Sequence, residues 1–360
     1  MTEASPCTCS QPATVHLSSK DCRQSLLNNL GRYGWSPIIV DNLSSPPPSH
    51  EEISAFFHGT HDFQKSSMTY RSAESGAKGK TVVEPKESLE VQLKASSGTT
   101  TTATTAKPAN ENGPTAVIQS WCQQLSQIAH RVCEVVLRIP PNTLLSDNPE
   151  ESLDLMRVFH YHATEKQEMG SSEHTDWGSW TIVWQDSVGG LETFCRPHQK
   201  WVGVEPPTAK EGGEEWHCVV HVGDMASLAL GLPSSSLSGT VGNSTSSAIR
   251  PMIRWPSPKH RVVTSRRERT SLVYFGYPPA QSSIHGIQKA LENWNVPSRG
   301  KCLPLPEYYL LHDQSSSSPI VGEETNFEAL LPDDIYSSIA ELSVQEVIQK
   351  KWEQVQRTSY

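Results

Sequence analysis

Residues 180–195 read Trp180-Thr181-Ile182-Val183-Trp184-Gln185-Asp186-Ser187-Val188-Gly189-Gly190-Leu191-Glu192-Thr193-Phe194-Cys195. Two runs rich in β-branched and aromatic residues flank an Asp/Gly turn signal. Runs this short, bounded by Gly and Asp, predict strands rather than helices. Outward from this stretch the same pattern recurs at Leu155–Tyr161, Trp201–Val204, Trp216–His221, Arg261–Ser265 and Arg269–Gly276. Many short strands separated by turn signals predict an antiparallel barrel or sandwich over 151–280. A Ser/Gly/Thr-rich insertion at 232–250 interrupts it.

On either side the pattern changes. Residues 1–20 are polar and turn-rich, which predicts a disordered tail. A helix is expected from Asp21 to Leu30, stopped by Gly31, and a strand over Ser36–Val40. Ser49-His50-Glu51-Glu52 is a capping box and opens a helix to about Phe63. The Thr-rich stretch 96–113 is of low complexity and predicts a mobile surface loop. The stripe Ile118, Trp121, Leu125, Ile128, Val132, Val136 has helical spacing, and Pro140-Pro141 closes that helix. Together 21–150 reads as an N-terminal helical and strand region. Residues 281–360 read as a C-terminal helical region, whose last helix opens at the capping box Ser343-Val344-Gln345-Glu346 and runs to about Val355.

Composition excludes several function classes. The chain has a formal net charge of −9 and no basic stripe interleaved with aromatics, so a phosphate-held nucleic acid is not expected. No apolar run approaches the roughly 20 residues of a membrane helix, and no signal-peptide pattern opens the sequence. The eight cysteines are scattered apart from Cys7-Thr8-Cys9. That spacing fits neither a zinc ribbon nor a disulfide framework, and predicts reduced thiols in a cytoplasmic protein. A monomer acting on a small molecule is expected.

The chemistry lies in His174-Thr175-Asp176 and Lys259-His260-Arg261-Val262-Val263. Residues two apart on a strand point to the same face, so His174 and Asp176 can reach one ion. With His260 they make a set of two imidazoles and one carboxylate, which leaves three coordination positions open and suits Fe(II) oxygen chemistry. Arg269 and Ser271 are again two apart. A planar guanidinium with a hydroxyl beside it suits a carboxylate.

In order, His174-Thr-Asp176-Trp-Gly178, Gln185-Asp186-Ser-Val-Gly189-Gly190-Leu191-Glu192, Val222-Gly223-Asp224, His260-Arg-Val-Val and Arg269-Thr-Ser271 resemble the isopenicillin N synthase-like family of Fe(II)/2-oxoglutarate-dependent oxygenases. Met156-Arg157-Val158-Phe159-His160-Tyr161 resembles the family strand ending in a tyrosine beside the 2-oxoacid, and Glu84-Pro85-Lys86-Glu87-Ser88 its N-terminal Lys-Glu element. The similarity runs from about residue 24 to 355. It implies a double-stranded β-helix, a jelly-roll barrel flanked by helices. It also implies Fe(II) held by His174, Asp176 and His260, and 2-oxoglutarate held by Arg269, Ser271 and Tyr161. Dioxygen is the second co-substrate. The implied reaction oxidises a small substrate, by default hydroxylating it, with release of succinate and CO₂. Trp177 and Phe275 are candidates for lining the substrate cavity. Two other readings stay open: an oxidase of the same family that does without 2-oxoglutarate, and a barrel that has lost turnover and serves as a binding scaffold.

The sequence departs from the pattern in two places. The spacing from His174 to His260 is long, but the excess falls in Lys210–Glu215 and the Ser-rich insertion, both expected as loops. Phe159 stands where many relatives carry Asn, which removes a polar contact to the 2-oxoacid or a ligand water. His221 reads as a barrel histidine because the ligand set is already complete, and Asp224 as a turn residue. His160 and His162 are expected to face away from Tyr161.

Overall fold

The computed structural model describes residues 11–59, 69–72, 84–92, 114–148, 151–195, 198–206, 215–231, 255–291, 294 and 341–350. Eight strands form one sheet: β1 (Val15–His16), β2 (Trp35–Val40), β3 (Thr69–Ser72), β4 (Lys86–Gln92), β5 (Leu155–Tyr161), β7 (Trp180–Gln185), β10 (Trp216–Val222) and β12 (Arg269–Gly276). Their order is β1-β2-β10-β7-β12-β5-β4-β3. Four more, β6 (Met169–His174), β8 (Leu191–Cys195), β9 (Lys200–Gly203) and β11 (His260–Val263), form a second sheet in the order β6-β11-β8-β9. β1 runs parallel to β2, and the other pairings are antiparallel.

Period-2 alternation divides the large sheet between two interiors. Met156, Val158, Leu272, Tyr274, Ile182 and Trp184 point outward into the larger core. There they meet α3 (Pro114–His130) and the π-helical stretch Arg131–Val136 that continues it. All six members of the expected helical stripe, from Ile118 to Val136, are buried in this core. Phe159, Tyr161, Val183 and Val273 point inward, where they pack with Leu191 and Val262 of the small sheet. Two sheets closed over a shared interior, with helices outside, make the jelly-roll barrel. Among the described residues the remaining helices are α1 (Cys22–Tyr33), α2 (His50–Gly59), α4 (Asp224–Gly231), α5 (Ile284–Leu291) and a helical stretch over 344–350. Ile284, Ile287, Val344 and Val347 extend the outer core.

Several expectations need correction. Residues 11–20 are not a disordered tail, because Val15 and Leu17 are buried and β1 pairs with β2; residues 1–10 lie outside the described part. α1 passes through Gly31 and ends at Gly34, whose φ of 74° lets its N–H reach Leu30 O at 2.9 Å. A side chain there would meet Pro256 O, so the position needs glycine twice over. The strands of the N-terminal region, β2 to β4, join the large sheet. β11 starts at His260 and ends at Val263 rather than running over Arg261–Ser265. The expected capping boxes are formed: Ser49 with Glu52, and Ser343 with Glu346. The stretches 96–113 and 232–250 lie outside the described residues.

Among the described residues, Cys22, Cys122, Cys133, Cys195 and Cys218 form no disulfide. No described helix is long and apolar enough to cross a membrane.

Candidate active site

The small sheet brings the metal-ligand candidates together. His174 ends β6, His260 begins β11, and the two are direct cross-strand partners. Asp176 follows two residues after His174. Asp176 Oδ1 lies 3.7 Å from His174 Nε2, and Oδ2 lies 3.6 Å from His260 Nε2. One donor atom from each falls within 4.8 Å of the others. Both imidazoles are oriented from behind. His174 Nδ1 sits 2.6 Å from Ser172 O, and His260 Nδ1 sits 3.0 Å from Pro258 O. Each Nδ1–H therefore donates to a carbonyl, which fixes the tautomer and leaves Nε2 for an ion.

Electrostatics prepare the same set. Burial pushes the His174 imidazole down to about 4, helped by the neighbouring His260. Burial alone would raise the Asp176 carboxyl, but His260, His221 and His174 hold it well below the usual carboxylate range. Neutral imidazoles and an ionised carboxylate are the forms that bind a cation. Asp176 Oδ2 is buried without a hydrogen-bond partner among the described residues. The donor set fits Fe(II).

The ligands open onto a cavity of about 220 Å³. Its far wall is the inward face of the large sheet. Cross-strand register places Lys86, Tyr161 and Arg269 in one row, and Ser88, Phe159, Ser271 and Gln185 in the next. Arg269 is 2% exposed. Its Nη1 donates to Ser271 Oγ at 3.2 Å and its Nη2 to Gln185 Oε1 at 3.0 Å. The guanidinium stacks over the Tyr161 ring at 4.8 Å, and Nε has no partner among the described residues. No described carboxylate pairs with Arg269. A buried cation held only by neutral groups is costly unless an anion joins it. This end of the cavity fits the far carboxylate of a 2-oxoacid.

Two turns hold the halves of the site in place. Gly189 and Gly190 have φ of 82° and 98°, and a Cβ at Gly190 would lie 2.4 Å from Val263 O. Only glycine lets the 186–190 turn lie against β11. Asp186 secures that turn, taking Thr270 N–H at 2.6 Å and Val188 N–H at 2.9 Å. The second turn begins α4. Asp224 N–H donates to Asp176 O at 2.7 Å, and Asp224 Oδ2 accepts from Thr175 Oγ1 at 3.1 Å. Asp224 is thus a turn residue that steadies the ligand segment.

Every expected metal and co-substrate residue reaches this cavity: His174, Asp176, His260, Arg269, Ser271 and Tyr161. Phe275 lines it as well, whereas Trp177 does not. Trp177 sits in the turn that packs against α4, where its carbonyl receives Met225 N–H at 3.3 Å. Phe159 lines the cavity beneath Lys86 Nζ, 5.4 Å from the ring centroid. His160 faces outward against Phe57, as expected.

Sequence reasoning gave no role to the buried pair Lys86–Glu84, with Nζ to Oε2 at 2.8 Å. Glu84 Oε1 also takes Ser172 N–H and Oγ–H, each at 2.6 Å, and Lys86 Nζ reaches Ser171 Oγ at 3.3 Å. The pair ties the start of β4 to β6 at Ser171 and Ser172, on the wall of the same cavity. The Glu-Pro-Lys spacing was visible, but not its partner strand.

Residues 152–278 match the model of the 2OG-Fe(II) oxygenase superfamily. Gibberellin 2-beta-dioxygenase 2 of Arabidopsis thaliana is 27% identical over 178 residues, 46% of this chain and 44% of that protein. A 2-oxoglutarate-dependent dioxygenase of a Dothideomycetidae species is 31% identical over 181 residues, 46% of each chain. The chain thus spans less than half the length of these relatives. Among solved structures, a 2OG-Fe(II) oxygenase family protein from Caulobacter crescentus superposes with a TM-score of 0.54 at 18% identity, over 85% of this chain and 100% of that one. JOX2 in complex with 2OG, Fe and JA gives 0.53 at 17% identity, over 79% and 80%. At such identities the superpositions establish the shared fold.

Proposed function

We propose that this protein is an Fe(II)- and 2-oxoglutarate-dependent dioxygenase of the isopenicillin N synthase-like family. It oxidises, by default hydroxylates, a small organic substrate and releases succinate and CO₂. The observation that carries the reading is Arg269: a buried guanidinium with no described carboxylate partner faces the same cavity as two histidines and an aspartate.

His174, Asp176 and His260 would hold the iron from one side, leaving positions open toward the cavity. Arg269 and Ser271 would bind the far carboxylate of 2-oxoglutarate, with Tyr161 supporting the guanidinium from below. Bound together, iron and the 2-oxoacid supply the oxidising power: dioxygen is reduced as 2-oxoglutarate is decarboxylated, and a substrate C–H bond is oxidised. The protein's part is to fix these groups and exclude water. Phe159, Val183, Val273 and Phe275 give the cavity an apolar wall for a C–H-bearing face, while Arg157 and Glu173 offer polar contacts. A cavity of about 220 Å³ suits a small molecule rather than a polymer. The reading takes the protein to be a cytoplasmic monomer, in keeping with its unpaired buried thiols.

The test is a metabolite screen with iron-loaded protein, 2-oxoglutarate and oxygen, scored by succinate. Substrate-dependent succinate release is expected. Oxidation of a substrate without succinate would overturn the use of 2-oxoglutarate.

A further inference from the structure

Three buried polar atoms converge without hydrogen-bond partners among the described residues: Asp176 Oδ2, His221 Nδ1 and His221 Nε2. His221 lies in β10 and is 0% exposed. Its Nδ1 is 3.7 Å from Asp176 Oδ2, and its ring centroid is 4.5 Å from that of His260. It does not belong to the group of atoms that can share one ion. A buried imidazole with both nitrogens unpaired is costly, and an apolar residue of similar size would fill the space without that cost.

Resting on the metal-centre reading above, we propose that His221 is a positioning residue. Its Nδ1–H donates to Asp176 Oδ2, so that the carboxylate ligates through one oxygen only. The reason lies in the count of positions. Three single-atom protein donors leave three of six positions, enough for a chelating 2-oxoacid and dioxygen. A carboxylate bound through both oxygens would occupy one of them. A hydrogen-bond donor placed behind a ligating carboxylate sets its orientation and raises affinity.

The backbone supports the same role. Residues 221–224 also hold the main chain of the ligand segment: Asp224 N–H donates to Asp176 O at 2.7 Å and Gly223 N–H to Ser179 O at 2.8 Å. A Cβ at Gly223 would lie 2.0 Å from Gly178 O, so glycine lets the two segments touch. One short stretch thus grips Asp176 by its carbonyl and stands beside its carboxylate.

The test compares the parent with His221→Leu and His221→Asn, whose amide can take the place of Nδ1–H. Fe(II) affinity is measured anaerobically by competition with a chelator, and melting temperature on metal-free protein. His221→Leu is expected to weaken Fe(II) binding about 10- to 100-fold while melting no lower than the parent, and His221→Asn to recover most of the affinity. Equal affinity in parent and His221→Leu would overturn the proposal. So would a loss of affinity accompanied by lower melting and not rescued by Asn, the pattern of a purely structural residue. If His221→Leu fails to fold, His221→Asn decides alone: affinity within a few-fold of the parent supports the role, and a tenfold loss overturns it. A parent protein that binds no Fe(II) would overturn the metal-centre reading itself.

Discussion

Replacing Arg269 by Lys keeps the charge but removes the fork. In the folded protein Nη1 and Nη2 are spread between Ser271 Oγ and Gln185 Oε1, at 3.2 and 3.0 Å, with the plane laid over Tyr161. An ammonium can neither span those two acceptors nor offer two parallel donors to a carboxylate. Truncating a buried charge-assisted pair costs about 2–5 kcal/mol, a factor of roughly 30 to several thousand in affinity. The proposed iron ligands lie on the small sheet or, for Asp176, just beyond it, so iron occupancy should not change. The assay is an anaerobic titration of iron-loaded protein with 2-oxoglutarate, followed by the visible charge-transfer band of the chelate. The midpoint should rise at least about 30-fold in Arg269→Lys. Equal midpoints would remove Arg269 from the site and leave co-substrate use without support.

His174→Ala should remove most Fe(II) binding while the barrel still folds, checked by iron analysis beside circular dichroism; full iron occupancy would refute the ligand set. Gly190→Ala should destabilise the protein by about 2–4 kcal/mol in urea unfolding, because it combines an unfavourable φ with a clash against Val263 O; a change below about 0.5 kcal/mol would refute the close-approach argument. Metal-free protein should lose stability as pH falls from about 6.5 to 4. His221 and His174 are held neutral down to about 4 in the fold but titrate near 6.5 when unfolded, so the unfolded chain binds more protons in that window. The slope is up to about 1.4 kcal/mol per pH unit for His221 and less for His174, whose side chain is 36% accessible. Unfolding curves that coincide at pH 6.5 and 4.5 would contradict this.

The strands that were legible in the sequence are those with apolar residues on both faces. β5, β7 and β12 face the outer core on one side and the cavity's apolar wall on the other, and their bounds match expectation, as do those of β8, whose Leu191 packs in the inner cluster. β4 and β6 escaped because their inward positions are polar for functional reasons. Lys86 lines the cavity, Ser88 is a buried polar residue in the next row, and Gly170-Ser171-Ser172 lies beside Tyr161 and Glu84. A polar inner face erases the alternation that marks a strand. β1 has only two residues, too few to carry any period. The proposed iron ligands were legible because two of them are two apart and the third opens a β-rich run. His221 was visible as a residue but not as a partner, since only the pairing of β10 with β2 and β7 carries it to Asp176.

The central claim is that one cavity holds both an iron site and a 2-oxoacid grip. The most direct measurement is anaerobic loading of the purified chain with Fe(II), followed by addition of 2-oxoglutarate, recording iron per chain and the visible spectrum. One Fe(II) per chain and a charge-transfer band that appears with 2-oxoglutarate, and is absent in His260→Ala, are predicted. Iron bound at that stoichiometry with no band at saturating 2-oxoglutarate, or a band that persists in His260→Ala, would contradict the account.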